Sequence, residues 1–154
     1  MESRGFIVGL IVGILATVTM DVVAMMALWL GIAGRGPRRT GPDLIGRWIG
    51  YLLRGKFRHM DILQTPPLRG ELVLRLAAHY LIGIVLTLVY LGLLVMAHTT
   101  PTALSAILYG TATTASPWFL MFPSQEMGWL GLDAPGDAHL ARASLFNHII
   151  FGVG

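Results

Sequence analysis

The chain has 154 residues, of which 55% are hydrophobic and only 12% are charged, and its mean hydropathy is +0.69. Soluble domains carry about 25% charged residues, so this composition indicates a membrane protein. The length predicts a single transmembrane domain covering residues 1–154. Because the sequence has no cysteine, disulfides, thiolate metal sites and cysteine catalysis are excluded.

The first predicted element is a long apolar span. Between Gly5 and Gly34 the only charged residue is Asp21. About 20 apolar residues cross a bilayer, so this run predicts a span over about 6–32, too long for a cleaved signal peptide. Within it Gly9 and Gly13 have the spacing that lets two helices approach closely, unless that spacing is chance. An ionised carboxylate at membrane depth costs at least ~2.5–3.5 kcal/mol, so Asp21 should be protonated, paired or facing a wet cavity.

A basic loop over 35–69 follows the first span. Most of the cationic residues lie between positions 35 and 75, namely Arg35, Arg38, Arg39, Arg47, Arg54, Lys56, Arg58, Arg69 and Arg75. Because basic loops stay on the cytoplasmic side, this asymmetry predicts a cytoplasmic loop of an inner-membrane protein. It also explains the high isoelectric point without a nucleic-acid partner.

An amphipathic helix is predicted over 42–54 within the basic loop. Its apolar residues recur with helical spacing, at Leu44, Ile45, Trp48, Ile49, Leu52 and Leu53. Such a helix is expected to lie in the membrane interface, with Arg47, Arg54 and Arg58 contacting anionic lipid headgroups. The alternative is a short helix packed on the cytoplasmic end of the bundle.

Three further spans are predicted over 71–97, 102–122 and 138–154. Pro117 is expected to bend the third span. The fourth is incomplete as a span, which favours a longer natural chain. The predicted fold is therefore all-α: a polytopic membrane protein with a four-helix transmembrane bundle plus one interfacial amphipathic helix.

Several short motifs together resemble an uncharacterised bacterial inner-membrane family, the domain of unknown function 2938. The similar pieces are Met20-Asp21, Gly46-Arg47-Trp48-Ile49-Gly50, Gly55-Lys56-Phe57-Arg58-His59, Gly70-Glu71, Ala78-His79-Tyr80, Pro117-Trp118-Phe119, Pro123 and Asn147-His148-Ile149-Ile150-Phe151-Gly152. The resemblance implies a four-helix membrane protein whose last helix is longer than this one. It implies no activity.

The candidate polar site lies inside the predicted bundle. Asp21 and His148 fall at similar depth in their spans, so we expect them to face each other directly or through a water. Asn147 and Thr114 should add hydrogen bonds, with His79 toward the cytoplasmic mouth. The alternative is that the helices point these groups apart, each satisfied locally.

The leading functional hypothesis is a non-enzymatic membrane subunit, or a protein that handles a small solute or a proton. Signatures of common soluble enzymes are absent. A second hypothesis is a redox or metal-handling protein that binds heme through His79 or His148, or copper through methionines such as Met20, Met25 and Met26. A third is an enzyme acting on lipid headgroups through the basic segment and His59. The cofactor stays open, and the predicted partners are the lipid bilayer and a larger membrane complex.

Topology gives the first testable prediction. Reporter fusions at Lys56 and at His98 should report opposite compartments, because the apolar segment between them is predicted to cross the membrane. The same compartment for both fusions would remove the second span.

Overall fold

The computed structural model describes residues 3–31, 43–134 and 140–154. These residues form five helices and no strand, which confirms the all-α class. Part of the predicted basic loop, including Arg35, Arg38 and Arg39, and the predicted start of the fourth span lie outside the described residues. The helices are α1 (Ser3–Trp29), α2 (Leu44–Leu52), α3 (Glu71–Met96), α4 (Ala103–Thr113) and α5 (Leu140–Val153).

Two of these helices, α1 and α3, are long and apolar enough to cross a membrane. A core helix of a soluble protein passes the same test but is mostly buried. Only 22% of the most apolar stretch of α1 and 11% of that of α3 are buried. The other two expected spans are shorter as continuous helices, since α4 ends at Thr113 and α5 has 14 residues. A four-helix transmembrane bundle therefore stays a prediction.

The predicted third span is interrupted where proline was expected to bend it. Helix α4 ends at Thr113, and a π-helical turn, Pro117–Met121, and a short α-helical turn, Phe122–Ser124, follow. Pro117 has no N–H to donate to the carbonyl of Thr113, so the regular pattern cannot continue there. The amide of Phe122 instead bonds the carbonyl of Pro117, five residues back.

The described chain divides into two compact units. The first contains residues 3–31, 79–114 and 145–154, and the second contains residues 43–78, 115–134 and 140–144. Helix α3 contributes its first two turns to the second unit and the rest to the first. The expectation of a single domain stays a prediction.

In the first unit, small residues let α1 and α3 pack closely in antiparallel directions. Gly9, Gly13 and Thr17 recur every four residues and therefore share one face of α1. Gly13 lies against the backbone of Ile84, and Thr17 lies against Gly83. The Thr17 hydroxyl donates to the carbonyl of Gly13 at 2.7 Å, so its polar group is satisfied within the helix. The Gly9/Gly13 spacing thus lies at a helix contact.

A second close contact joins α4 to α5 in the same unit. A Cβ atom added to Gly110 would lie 2.5 Å from the carbonyl oxygen of His148 and 2.8 Å from the Cα of Gly152. A Cβ atom on Gly152 would lie 2.5 Å from the carbonyl oxygen of Ala106. Backbone meets backbone here, so larger residues would separate the helices.

The second unit has its own apolar core, into which α2 packs. Ile62, Phe122 and Met127 form the buried centre, and Leu44 and Trp48 of α2 pack against it. The Asp43 side chain caps α2 by accepting from the amide of Gly46. The apolar stripe of α2 is thus used in part against the core of its own unit.

The contact between α1 and α3 predicts different effects for two glycine substitutions. In Gly13→Ala the new Cβ would lie 2.7 Å from the Cα of Ile84, which is backbone and cannot rotate away. Such overpacking typically costs about 1–3 kcal/mol. Gly92→Ala is the matched control, because nothing lies within 4 Å of its new Cβ. Thermal unfolding should show a lower midpoint for Gly13→Ala alone, and equal midpoints would contradict the packing.

Candidate functional site

The Asp21 carboxylate binds two side chains from one turn of α3. His79 Nε2 donates to Oδ1 at 2.9 Å, and the Tyr80 hydroxyl donates to Oδ2 at 3.2 Å. The two rings meet edge to face, with centroids 5.5 Å apart. Each carboxylate oxygen therefore has one donor, and both donors carry a titratable proton. Asp21, His79 and Tyr80 are called the polar cluster below.

The polar cluster is only half-buried. The Asp21 side chain is 43% exposed and the His79 side chain is 26% exposed. Large apolar side chains on the same two helices are exposed too, including Met25 and Val22. The cluster is thus a polar spot on a largely apolar surface.

His148, the expected partner of Asp21, has a different direct contact. Its Nδ1 lies 2.7 Å from the Thr113 hydroxyl, which donates to the carbonyl of Gly110 at 2.6 Å. Nδ1 is therefore assigned as the donor in this pair. A link from Asp21 to His148 through a water stays a prediction.

Asp21 and His79 lie at matching distances from the ends of their helices. Helix α1 ends at Trp29, earlier than the predicted end near residue 32, and α3 begins at Glu71, as the predicted span over 71–97 does. Asp21 and His79 then each lie ~12 Å from the end of their helix, at 1.5 Å per residue. Because α1 and α3 are antiparallel, equal distances from the end of α1 and the start of α3 place Asp21 and His79 side by side.

Asn147 and Thr114 were expected to extend the polar site. Asn147 is half-buried, and Thr114 is 1% exposed. The Thr114 hydroxyl has no hydrogen-bond partner within the described ranges. Tyr80 was not predicted, although it stands beside His79 in the family-like motif Ala78-His79-Tyr80, and that adjacency was the available signal.

Arg47 corrects the predicted headgroup site. Its side chain is buried, with Nε 2.7 Å from Glu71 Oε1, and Nη1 donates to the carbonyl of Thr65 at 2.8 Å and of Ile62 at 3.3 Å. A residue at 4% exposure cannot contact a lipid headgroup. The guanidinium points inward because its N–H groups find acceptors there, namely the Glu71 carboxylate and the backbone carbonyls of the 62–65 turn. Arg54 and Arg58 are exposed, as a headgroup contact requires.

His59 is also inaccessible, which corrects its proposed part in a lipid-headgroup enzyme. The residue is 3% exposed, and its Nδ1 lies 3.1 Å from the Thr65 hydroxyl. Burial, and then the charge of Lys56, lower the pKa of His59. A neutral, enclosed imidazole is suited to packing in the second unit.

The charged residues of the first α3 turns bind partners outside that helix. Glu71 pairs with Arg47, and Arg75 Nε lies 2.6 Å from Asp43 Oδ2. Both contacts join the start of α3 to α2 and its cap. Within the described ranges no group of three His, Asp or Glu side chains is placed to hold a metal. Heme and copper stay sequence-based hypotheses.

The burial of Arg47 predicts a large loss of stability on its removal. Arg47→Met keeps the side-chain length but leaves the largely buried Glu71 carboxylate, whose side chain is 11% exposed, without its cation. Breaking such a pair from one side costs about 3–5 kcal/mol. The control, Arg54→Met, changes an exposed arginine and should stay within about 0.5 kcal/mol. Thermal unfolding followed by circular dichroism measures both, and similar midpoints would show that Arg47 is not structural.

Comparison with known proteins supports one family. Neither the curated proteins nor the solved structures contain a match to this chain. A family model described as protein of unknown function (DUF2938) matches residues 10–154. This match covers the polar cluster, the Arg47–Glu71 pair and all five helices except the start of α1. The chain belongs to the DUF2938 family.

Proposed function

We propose that this protein is a multi-pass membrane protein that acts as a non-enzymatic subunit of a larger membrane complex. The polar cluster is the contact that a partner covers. The observation that carries this proposal is the half-exposed Asp21–His79 pair on two apolar, largely exposed helices.

The physical argument is the cost of leaving such a pair against lipid. Polar groups in hydrocarbon need internal partners, because no water is there to bind them. His79 and Tyr80 supply part of what Asp21 requires, but the exposed part of the carboxylate stays unsolvated. Charged residues in spans therefore face a bundle interior, a wet cavity or another polar group. A partner helix or subunit with a polar side chain meets this need.

A partner explains the exposure better than an enclosed solute site does. The cavity in the first unit has a volume of about 300 Å³ and is lined by residues such as Val12, Tyr90, Tyr109 and Phe151. Neither Asp21 nor His79 lines it. The polar cluster thus opens outward, toward whatever surrounds the helices.

Proton handling is the second candidate function. It is favoured by one observation, the binding of a single carboxylate to two groups that can each release a proton. In this alternative Asp21 and His79 exchange a proton within the membrane, and Tyr80 orients the carboxylate.

The proposed location is the bacterial inner membrane, with the 35–69 loop on the cytoplasmic side. The support is the basic composition of that loop together with the two candidate spans. In this location a lipid bilayer would surround the two apolar helices.

The test compares native assemblies of the wild type and Asp21→Asn, which removes the charge and keeps the shape. Purified in mild detergent, the wild type should migrate as a larger complex whose partner mass spectrometry identifies. Asp21→Asn should insert normally but lose the complex. Tyr90→Phe is the control, since it removes a different hydrogen bond, to Ser105 at 2.7 Å.

Two results would contradict the subunit proposal. One is a wild-type protein that migrates alone under every mild condition. The other is an Asp21→Asn complex identical to that of the wild type. If Asp21→Asn forms the normal complex, but vesicles reconstituted with it lose the proton uptake seen with the wild type, proton handling replaces the subunit role.

A further inference from the structure

The turn after α2 exposes apolar and basic side chains together. Residues 53–60, called the basic turn below, contain three cations and no acidic residue. Its apolar side chains are unusually exposed, with Met60 at 92%, Leu53 at 74% and Phe57 at 42%. Arg54, Lys56 and Arg58 are exposed as well. Such a mixture is costly in water and suits the boundary between lipid tails and headgroups.

The three cations of the basic turn are available to bind a partner. None of them forms an ion pair with a residue in the described ranges, whereas Arg47 and Arg75 of the same unit both do. Arg54 and Lys56 lie over the Tyr51 ring, at 5.8 and 5.6 Å from its centroid. Both charges therefore interact with the same aromatic ring.

The basic turn is anchored on both sides rather than loose. Gly55 has a φ of +82°, and the amide of Lys56 bonds the carbonyl of Tyr51 at 2.9 Å. The indole of Trp48 donates to the carbonyl of Phe57 at 2.9 Å. At the far end the amide of His59 bonds the carbonyl of Ser124 at 2.8 Å. A fixed turn loses little conformational entropy when it binds.

We infer that the basic turn binds anionic phospholipid headgroups at the bilayer surface. Arg54, Lys56 and Arg58 contact the headgroup phosphates, while Leu53, Phe57 and Met60 enter the interface. This contact differs from the helix lying flat that the sequence suggested, because Arg47 and Trp48 of α2 are engaged with protein. The inference rests on the proposed membrane placement.

Charge complementarity favours lipid over the other occupants of such a surface. The cytoplasmic leaflet is negative, and each basic residue near it strengthens binding about fivefold. An acidic protein partner would match the charges, but the protruding Met60 and Leu53 would then need apolar pockets. A bilayer accepts apolar side chains of any shape.

A fluorescent label at Met60 tests the contact directly. Because the chain has no cysteine, Met60→Cys can be labelled alone with a polarity-sensitive dye. In nanodiscs of phosphatidylcholine with phosphatidylglycerol, the emission should shift to the blue relative to pure phosphatidylcholine. The shift should shrink with added salt, since screening weakens surface electrostatics. A label at Arg69→Cys, an exposed polar position outside the turn, should respond little.

The charge variant Arg54→Gln, Lys56→Gln and Arg58→Gln should remove the shift and lower retention of phosphatidylglycerol about a hundredfold. Its circular dichroism should match the wild type, because these side chains form no ion pair with the described residues. Inorganic phosphate at millimolar concentration should not abolish the shift.

Three results would overturn the inference. They are equal emission in the two lipids, an unchanged shift in the charge variant, and reversal of the shift by inorganic phosphate alone. A blue shift that appears only with a co-purified protein would assign the turn to an acidic partner instead. Failure of the wild type to enter nanodiscs would overturn the membrane placement, and this inference with it.

Discussion

The close approach of α1 and α3 is the contact on which the candidate site depends. Gly9, Gly13 and Thr17 present a small-residue face to α3, so backbone atoms can pack against each other. Asp21 continues the same four-residue spacing and therefore meets α3 one turn further along. A helix that approached less closely would leave the carboxylate out of reach of His79. One face of α1 therefore determines both its packing against α3 and the contacts of the Asp21 carboxylate.

Arginines in the same predicted helix region take opposite roles because of what surrounds them. Arg47 faces the start of α3 and finds a carboxylate and carbonyls within reach, so its charge is neutralised inside the protein. Arg54 follows the end of α2 and faces outward. Desolvating a guanidinium is costly without such partners, so the contacts rather than the residue type decide the role.

The sequence determined the class of protein and the types of groups in the site. Composition and the uncharged runs indicate a helical protein with long apolar segments, and the structure has two helices of that kind. A single carboxylate in an apolar run identified Asp21 as a residue that needs a partner. Pro117, which was expected to bend the third span, begins a π-helical turn in the structure. These results depend on local properties, which a sequence shows directly.

The tertiary structure decided which groups meet. His79 and Tyr80 rather than His148 bind Asp21 directly, because the small-residue face of α1 packs against α3 in a register that brings this turn of α3 to the carboxylate. The burial of Arg47 likewise depends on Glu71, which is distant in sequence but adjacent in space. Helical periodicity gives the direction of a side chain within its own helix. It does not give the rotation or depth of the neighbouring helix, and those two quantities fix every contact of the polar cluster.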